Sequence, residues 1–421
     1  MLRKQQTRIM LEFAGKHILI VIENLPAPFD RRVWQEAMTL KKNGADVSII
    51  CPKMKGYTKS YEVLEGIEIY RHPLPLEARG ALGYLLEYGV AIFWEFFLTC
   101  RIFLKKRIHV IHGCNPPDLI FLTALFFKLF GVKYVFDHHD INPELYIAKY
   151  NRKDFFYKLM LLFERWTYKT ADFAISTNAS YKEIAIKRGK MPIDKVQIVR
   201  SGPSLKRLKI LPPIEAHKRG KKYLVGYVGV IGEQEGLDLL LEAAKLLKQQ
   251  RNDVQFGIVG GGTDLEKIKS LSVTLGVDDI VHFYGRVSDE VLLEVLNTAD
   301  VCVNPDKPSE MNNLSTMNKI MEYMALKKPI VQFDLKEGKA SALKASLYAI
   351  NNNIEDFAEK ISYLLDHEAK RIEMGEFGYN RVFNKLSWEH EQNHLIRLYK
   401  KVFKEEKVNK TTPMRPEINQ A

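Results

Sequence analysis

The sequence predicts an α/β protein built from two Rossmann-like domains that face each other across a cleft. Three observations predict it: short apolar strands alternate with helical stretches in the first half, the pattern breaks between residues 201 and 222, and it then restarts. Such alternation is typical of βαβ units and a parallel sheet. Ligands of open parallel sheets bind beyond the carboxyl ends of the strands, where we expect the cleft.

The strands are predicted from short apolar runs that are rich in β-branched and aromatic residues. In the first half these runs are His17–Ile22, Asp46–Cys51, Ile67–Tyr70, His109–His112, Lys133–Phe136, Phe173–Ser176 and Val196–Val199. In the second half they are Leu224–Val228, Val254–Val259, Ile280–Phe283, Val301–Val303 and Ile330–Phe333. Helical patterns lie between many of them; Val33–Lys42, for example, ends at Asn43-Gly44, a common helix stop.

The break in this pattern sets the expected domain boundaries. Residues 203–222 hold prolines and many basic residues, which predicts an exposed linker between a first domain over 1–202 and a second over 223–385. Apolar residues at helical spacing predict a final helix over 386–404 that packs back towards the first domain. The polar tail over 405–421 is predicted to be disordered.

Charge and cysteine usage limit the functional classes. The formal net charge is +12, which suits an acidic partner such as phosphate groups, anionic lipid or nucleic acid, and equally a solvated lysine-rich surface. The four cysteines form no Cys-x-x-Cys pair, so neither a zinc site nor a disulfide framework is expected. This cysteine usage fits a reducing cytoplasm.

The apolar stretch Ala81–Lys105 is the candidate for a membrane span. It contains Glu87 and Glu95, and a centrally placed carboxylate is costly in lipid. We therefore expect a buried or interfacial amphipathic helix that ends in basic residues. The charged residues of Met1–Lys16 argue against a cleaved signal peptide.

A candidate anion site lies in the second half at Ser315–Ala325. Ser315 or Thr316 is expected to cap a helix, whose amino-terminal amides and dipole would attract an anion. Lys319 adds a positive charge, and Glu322 could accept hydrogen bonds from vicinal hydroxyls such as those of a ribose. A capped surface helix with a solvated Glu322 explains this segment equally well.

Two glycine-rich turns follow strands of the same predicted sheet. Gly229–Gly236 precedes a predicted helix over Leu237–Leu247, and Gly260–Gly262 follows the next strand. Glycines in such turns allow close backbone approach to a phosphate, although tight turns use them too. Because both turns and the Ser315 segment follow strands of one sheet, we expect them to converge.

Two polar segments follow strands of the first half. Asp137-His138-His139-Asp140 lies at the end of a strand, where a histidine could bind a sugar hydroxyl or a phosphate. A metal site is the alternative, which we set aside because no third cluster supports it. Asn24–Arg32 ends in Asp30, Arg31 and Arg32, which could bind phosphate or simply cap and flank a helix.

The chain resembles the retaining glycosyltransferases of family 4, which have the GT-B fold, and among them bacterial enzymes of surface-polysaccharide assembly. The resemblance runs from about His17 to Val402. It is carried by four segments: Glu23–Ala37 (ENLPAPFDRRVWQEA), Asp137–Leu145 (DHHDINPEL), Tyr227–Ala243 (YVGVIGEQEGLDLLLEA) and Leu314–Val331 (LSTMNKIMEYMALKKPIV).

The resemblance implies roles for individual residues. Glu322 would bind the donor's ribose, and His139 would contact the transferred sugar. The catalytic group implied here is His139, Asp140, Glu310 and Lys319. The donor-binding group is Gly229, Gly232, Gly261, Arg286, Val287, Ser315, Thr316, Met317, Asn318 and Glu322. Asp30, Arg31 and Arg32 would bind the acceptor or a phosphate, and neither a metal nor a cofactor is expected.

The sequence departs from the family pattern at three places. Leu314 stands where the first glutamate of the E-x7-E motif is expected, and Glu310, or Asn312 and Asn313, would take over its contact. Val230 and Glu235 replace the usual basic pair of the glycine turn, for which Lys319 or Arg31 and Arg32 would substitute. The double-glycine turn after the first strand is replaced by Ala27-Pro28-Phe29-Asp30.

The expected function is therefore transfer of a sugar, with retention, from a nucleotide-sugar donor to a saccharide or lipid-diphosphate-linked acceptor. The donor is expected to be UDP-linked, and the process is polysaccharide biosynthesis at the cytoplasmic face of an anionic membrane, with no nucleic-acid partner. The alternatives are a non-catalytic scaffold of an assembly complex, a nucleotide-sugar epimerase and an NAD-dependent oxidoreductase. The last lacks the expected G-x-G-x-x-G after the first strand.

Overall fold

The computed structural model describes residues 12–74 and 80–410, and side chains over 12–74 and 89–404. The chain divides into two compact units. Unit 1 comprises Met1–Pro143, Lys153–Val199 and Gln392–Ala421, and unit 2 comprises Glu144–Arg152 and Arg200–Glu391. Each unit contains one sheet with helices packed against it.

The sheet of unit 1 has eight strands in the order β3-β4-β2-β1-β5-β6-β7-β8. They are β1 His17–Ile22, β2 Asp46–Pro52, β3 Tyr61–Leu64, β4 Ile67–His72, β5 Val110–Cys114, β6 Lys133–His138, β7 Phe173–Ser176 and β8 Val196–Ile198. All pairs are parallel except β3 with β4. The helices of this part of the chain are Arg31–Lys42, Gly80–Lys105, Phe121–Lys128, Asn142–Tyr150, Phe155–Thr170 and Ala179–Lys187.

The sheet of unit 2 has six parallel strands in the order β11-β10-β9-β12-β13-β14. They are β9 Tyr223–Val228, β10 Val254–Val259, β11 Val281–Gly285, β12 Val301–Asn304, β13 Ile330–Phe333 and β14 Ser346–Ala349. Its α-helices are Leu237–Gln250, Leu265–Thr274, Asp289–Thr298, Glu310–Leu314, Asn318–Ala325, Lys336–Ala342, Ile354–Asp366 and Glu368–Arg381. The last helix, Trp388–Lys410, begins in unit 2 and continues into unit 1.

The strands are apolar because helices cover both faces of each sheet. All six residues of β1 and all six of β10 are buried. Parallel strands covered on both faces show continuous apolar runs rather than alternation. This is the pattern from which the sequence predicted two Rossmann-like α/β domains, and the structure confirms that fold class.

Every strand predicted from the sequence is present, and two further strands were missed. β3 alternates exposed and half-buried residues at a sheet edge, and β14 has only four residues, so neither produces a long apolar run. The last helix runs to Lys410, beyond the predicted end at 404, so 405–410 are helical rather than disordered. Residues 411–421 and most of Met1–Lys16, on which other expectations rest, lie outside the described residues.

The predicted linker is not exposed throughout. Pro203 is buried, and Leu208 is buried in a core cluster of unit 2 together with Leu224 and Leu296. These apolar side chains attach the start of the segment to the second sheet. Nor does any helix in the described part of the chain, Gly80–Lys105 included, combine the length and apolarity of a membrane span.

Candidate active site

A buried ion pair between Arg32 and Asp137 lies at the carboxyl end of β6. Arg32 Nη2 donates to Asp137 Oδ1 at 2.8 Å, and Nε donates to Asp137 Oδ2 at 3.3 Å. Arg32 Nη2 is also 3.0 Å from Glu36 Oε1, one helical turn away, and Nη1 donates to the Val199 carbonyl at 2.9 Å. The guanidinium of Arg32 is thus engaged within unit 1, and its binding of a phosphate stays a prediction.

His139 is fixed by both its ring and its backbone. Its Nε2 lies 2.5 Å from Asp137 Oδ2 and 2.9 Å from Arg32 Nε. Asn115 Oδ1 accepts from the backbone N–H groups of His139 and Asp140, at 2.6 and 3.1 Å. Arg32 Nε donates to this ring nitrogen and Asp137 Oδ2 beside it is an acceptor, so Nε2 is held between a cation and an anion. The side chain of His139 is 12% exposed, so it borders the surface.

A second histidine, His112, contacts the same carboxylate from β5. Its Nε2 is 3.3 Å from Asp137 Oδ2 and 3.4 Å from Glu36 Oε2, and its Nδ1 is 2.8 Å from the Tyr399 hydroxyl. Burial lowers the pKa of His112, so its ring is neutral at pH 7. The side chain of His112 is fully buried, which is typical of a structural role.

Two carboxyl groups of this cluster have opposite pKa shifts. Burial raises the pKa of Glu36 well above its ordinary value, so this group keeps its proton. Burial acts in the same direction on Asp137, but the Arg32 charge outweighs it and holds the pKa of Asp137 well below its ordinary value. The result is one anion, Asp137, opposite one cation, Arg32.

The structure brings ligand-type side chains together around Asp137 more closely than the sequence suggested. Two groups have converging atoms: His112, Cys114 and Asp137, and Glu36, Asp137 and His139. These groups add Glu36, His112 and Cys114 to the segment considered from the sequence, and the expected absence of a metal stays a prediction. However, a guanidinium already lies against both carboxyl groups, and burial raises the pKa of the Cys114 thiol well above its ordinary value. A protonated thiol is a poor ligand, so the chemistry of the cluster fits an internal ion pair.

Asp30 and Arg31, the other two residues predicted to bind the acceptor or a phosphate, lie at the start of the first helix. Asp30 is the N-cap of the helix Arg31–Lys42, and its Oδ1 accepts from the Val33 N–H at 2.9 Å. Helix capping, one of the two roles considered for Asp30, is thus present, and an acceptor side chain performs it well; binding by Asp30 of the acceptor or a phosphate stays a prediction. The side chain of Arg31 is exposed.

In unit 2 the two glycine turns pack against each other. The Gly229 N–H donates to the Val259 carbonyl and the Ile231 N–H to the Gly261 carbonyl, both at 3.1 Å. A Cβ on Gly260, at φ +140°, would lie 1.8 Å from the Gly229 carbonyl oxygen. Glycine at 260 is therefore required by the neighbouring turn itself, which is a different reason from close approach of a phosphate.

Lys319 reaches the first glycine turn from another element. Its Nζ is 2.6 Å from Glu235 Oε2 and 2.8 Å from Asp306 Oδ1, and it lies 4.9 Å from the centre of the Tyr227 ring. Among the substitutes considered for the missing basic pair, Lys319 is the one that reaches this turn. Arg32 is held by Asp137 and Glu36 instead.

The charges of this cluster depend on burial and on one another. Burial favours the neutral form of Lys319, but Asp306 and Glu235 outweigh it and hold its pKa well above the ordinary value. Burial raises the pKa of Asp306 to about 7. Burial also opposes ionisation of Glu235, yet the Lys319 charge lowers the pKa of that carboxyl. The Lys319–Glu235 contact is thus an ion pair at neutral pH, with Asp306 close to its titration point.

The predicted helix cap is wrong. The helix begins at Asn318, its N-cap is Met317, and no side chain caps it. Ser315 and Thr316 lie in the connection from a five-residue helix, Glu310–Leu314, which Ser309 caps. Because an apolar N-cap offers no acceptor to the first-turn amides, this helix start suits an anion better than a serine-capped one would.

Glu322 has a partner that the sequence analysis missed. Its Oε1 accepts from Arg207 Nη2, and Arg207 Nη1 is 3.4 Å from Asp289 Oδ1. Arg207 lies in the segment predicted as an exposed linker, next to the buried Leu208. An apolar residue within that basic segment was the signal that could have indicated it.

The remaining predicted residues have distinct environments. Asn312 is buried, and its Nδ2 donates to the carbonyls of Gln234 and Lys307, at 2.9 and 2.8 Å. Asn313 Oδ1 accepts from the Lys336 N–H at 2.8 Å. Glu310 is exposed, so of the three residues considered in place of Leu314 it is the one with a solvent-facing side chain.

Two residues of the predicted donor-binding group, Arg286 and Val287, follow β11. Arg286 is exposed beside Gly261, and Val287 packs against a core cluster of unit 2. Gly232, the remaining glycine of the predicted donor-binding group, lies next to the Gln234 side chain.

The two halves of the chain match different family models. Residues 30–202 match the glycosyl transferase 4-like domain, and residues 213–381 match the glycosyl transferases group 1 domain. A poly(ribitol-phosphate) α-N-acetylglucosaminyltransferase of Staphylococcus aureus is 28% identical over 169 residues, which are 39% of this chain and 33% of that protein. The matched segment thus spans about a third of that relative's length.

Solved structures resemble the chain over nearly its whole length. Sucrose-phosphate synthase from Thermosynechococcus elongatus superposes with a TM-score of 0.76 at 18% identity, covering 93% of this chain and all of that one. Anabaena HepE in complex with UDP-glucose superposes with a TM-score of 0.69 at 12% identity, covering 91% and 99%. At these low identities, the superpositions establish the fold alone. Together with the two domain matches, they show that the chain belongs to the glycosyltransferases of the GT-B fold.

Proposed function

We propose that the chain transfers a sugar from a UDP-linked donor, with retention at the anomeric carbon, to a saccharide carried on a lipid diphosphate. The observation that carries the donor side of this proposal is the group around the helix Asn318–Ala325. Lys319 lies against the glycine turn, and Arg207 holds the Glu322 carboxylate. The UDP-glucose complex of a structural relative, HepE, supports a uridine nucleotide.

The donor's diphosphate would lie at the start of this helix. Main-chain amides near Met317 and Asn318, the helix dipole and the Lys319 ammonium would stabilise the negative charge that develops as the diphosphate leaves. Glu322 would accept hydrogen bonds from the ribose hydroxyls, with Arg207 fixing its orientation. Glu310 would contact the hydroxyls of the sugar, in place of the glutamate that Leu314 replaces.

In unit 1, His139 would contact the transferred sugar through Nδ1, since Nε2 faces Asp137. Asp137 would act as a positioning residue: together with Arg32 it holds the His139 ring in place, and it would not itself touch the substrate. No dedicated general base is invoked, because the leaving phosphate would take the proton of the acceptor hydroxyl. Positive charge from protein groups would replace a divalent metal ion at the diphosphate.

An exposed apolar face on three helices of unit 1 supports a membrane-associated acceptor. Ring contacts join the helices Gly80–Lys105, Phe121–Lys128 and Phe155–Thr170: Phe96 with Phe126, Phe103 with Phe130, and Phe121 with Trp166. Large apolar side chains are exposed along them: Phe93, Phe97, Leu104, Leu122, Leu125, Phe126, Leu129, Phe130, Leu162 and Trp166. Exposed apolar surface of this extent indicates an interaction site. Basic residues on the same helices suit anionic lipid.

The proposal is tested by ligand binding followed by transfer. A panel of nucleotide sugars is compared by thermal unfolding, where UDP at about 100 times its dissociation constant should stabilise the protein by roughly 2.7 kcal/mol. The best donor is then incubated with a lipid-diphosphate saccharide, and the anomeric configuration of the product is determined by NMR.

Other outcomes point to other functions. Consumption of the donor to an isomeric nucleotide sugar, with or without acceptor, would indicate an epimerase. Stabilisation by UDP without consumption of any donor would indicate a non-catalytic relative. An inverted product would contradict retention.

A further inference from the structure

A cavity of about 470 Å³ lies at the edge of the unit 1 sheet, away from the groups assigned above. One wall is the helix Gly80–Lys105, and the opposite wall comes from β3, β4 and the segment after β2. It is lined by Lys53, Ser60, Tyr61, Tyr70, Arg71, Pro73, Trp94, Phe97, Leu98, Arg101 and Lys105. Its volume is in the range of ligand sites, about 300–1,000 Å³.

The helix presents two kinds of side chain to this cavity, in order along its axis. Trp94, Phe97 and Leu98 come first, and Arg101 and Lys105 follow at spacings of three and four residues, so all five lie on one face. The cavity therefore has an apolar aromatic part and a cationic part. Tyr61 and Tyr70 complete it from the sheet, with ring centres 5.0 Å apart.

The cationic part contains basic side chains that have no ion-pair partner within the described part of the chain. Among the described residues, no carboxylate forms an ion pair with Lys53, Arg101 or Lys105. The adjacent Lys106, by contrast, is 2.7 Å from Glu68. Three cations without a carboxylate partner among the residues that the structure describes surround one cavity beside aromatic rings, which is a favourable environment for an anion.

Arg71 supports the same conclusion from a buried position. It is 3% exposed, it lines the cavity, and its Nη2 is 2.5 Å from Glu62 Oε1 and from the Ala27 carbonyl. Its Nε is buried and has no hydrogen-bond partner among the described residues. A buried donor without a partner is costly, and an anion bound nearby would reduce that cost.

We propose that this cavity binds the phosphate group and the adjoining hydrocarbon of an amphiphilic lipid phosphate. Arg101, Lys105 and Lys53 bind the phosphate, and Trp94 and Phe97 contact the first carbons of the chain. Phe93 and Leu104, exposed on the same helix, provide an apolar surface for the rest of the chain. The inference names the lipid part of the acceptor and so depends on the proposed function, but it concerns binding alone.

The experiment uses the full chain without any nucleotide sugar and measures binding by calorimetry and by tryptophan fluorescence. Three probes separate the sources of affinity: dodecyl phosphate below its critical micelle concentration, inorganic phosphate, and dodecyl maltoside. We expect dodecyl phosphate to bind at least tenfold more tightly than either of the others. Equal affinity for dodecyl maltoside, or equal affinity for inorganic phosphate, would overturn the amphiphile assignment.

Variants locate the site. Arg101→Gln/Lys105→Gln should weaken dodecyl phosphate binding at least tenfold, whereas Lys169→Gln, an exposed lysine on the helix Phe155–Thr170, should leave it unchanged. Trp94→Phe should remove most of the fluorescence response while calorimetry still detects binding. Unchanged affinity in the double variant would overturn the proposal. If the protein transfers no sugar but still binds dodecyl phosphate at this cavity, the proposed function is contradicted and the lipid phosphate site is not.

Discussion

Lys319 places its ammonium nitrogen 2.6 Å from Glu235 Oε2, so a cation from the helix Asn318–Ala325 lies at a glycine turn that carries an acid. Asp306 accepts from the same ammonium at 2.8 Å. The family pattern expects the positive charge on the turn itself. Here the turn carries an acid, and the positive charge comes from the helix.

The ion pair between Lys319 and Glu235 predicts that the two residues are strongly coupled in their contributions to the free energy of unfolding. Lys319→Met leaves the buried Asp306 and the half-buried Glu235 without their cation and should destabilise unit 2 by about 3–5 kcal/mol. Adding Glu235→Gln should recover part of that loss, because one unpaired charge is removed. Chemical unfolding of the two single variants and the double variant gives the coupling energy. Additive effects would show that the ion pair does not govern this cluster.

Arg207 is predicted to control nucleotide affinity through Glu322. Arg207→Met removes the guanidinium that holds the carboxylate and should weaken UDP binding by roughly tenfold, equivalent to about 1.4 kcal/mol. Glu322→Ala should weaken it at least as much. Lys206→Met, an exposed neighbour, is the matched control. Calorimetric affinities that are equal in all four proteins would remove Glu322 from the donor site.

His139 is predicted to matter for turnover more than for nucleotide binding. His139→Ala should lower kcat by about 10²-fold or more, the scale of a group that acts on the reacting centre, with UDP affinity nearly unchanged. His390→Ala, an exposed histidine of the last helix, should behave as wild type. A parallel loss of UDP affinity in the His139 variant would place this residue at the donor phosphates instead.

Asp137 is predicted to act differently from His139, because it also pairs with Arg32. Asp137→Asn leaves a buried guanidinium without its anion, so it should lower thermal stability as well as kcat. His139→Ala should lower kcat with a much smaller loss of stability. Melting temperatures and rates of the two variants, measured together, separate a positioning role from a purely structural one.

The buried carboxyl group of Glu95 is predicted to make the free energy of unfolding depend on pH. It is fully buried in the helix Gly80–Lys105, both carboxyl oxygens are without a hydrogen-bond partner among the described residues, and burial raises its pKa from 4.5 to about 8. The folded protein therefore holds a proton that the unfolded chain releases above pH 4.5. The stabilisation that comes from this bound proton is fully present below pH 4.5 and is lost as the pH rises to about 8.

Glu95→Met removes that titration. The stability of the variant relative to wild type should rise by about 1.4 kcal/mol per pH unit between pH 4.5 and 8, and then level off. Urea unfolding at several pH values measures it. A difference between the two proteins that does not vary with pH would contradict the assignment of a neutral buried Glu95.

Transfer is predicted to survive excess EDTA, because amides and the Lys319 charge are proposed to stabilise the diphosphate. The measurement is the initial rate before and after chelation, with Mg²⁺ or Mn²⁺ added back. Complete loss that either ion restores would return Asp137 and its neighbours to consideration as metal ligands.

The local properties of the sequence determined the fold class. Apolar runs of three to six residues separated by helical patterns predicted every parallel strand except β14, because a strand buried on both faces must be apolar throughout. Turn and motif residues also indicated which loops contain the candidate donor-binding and catalytic residues. Weak local signals failed: β3 alternates at a sheet edge, and Ser315 and Thr316 resemble a cap although the helix begins after them.

Only the tertiary structure decided which charged groups meet. The sequence places Arg207 115 residues from Glu322, Lys319 84 residues from Glu235, and Arg32 105 residues from Asp137, and it contains no local signal that joins them. Helix and strand periodicity reports which face of an element is buried, whereas an ion pair depends on how distant elements pack. For that reason the sequence identified Glu322 and Lys319 as candidates, and the fold assigned Arg207, Glu235 and Asp306 as their partners.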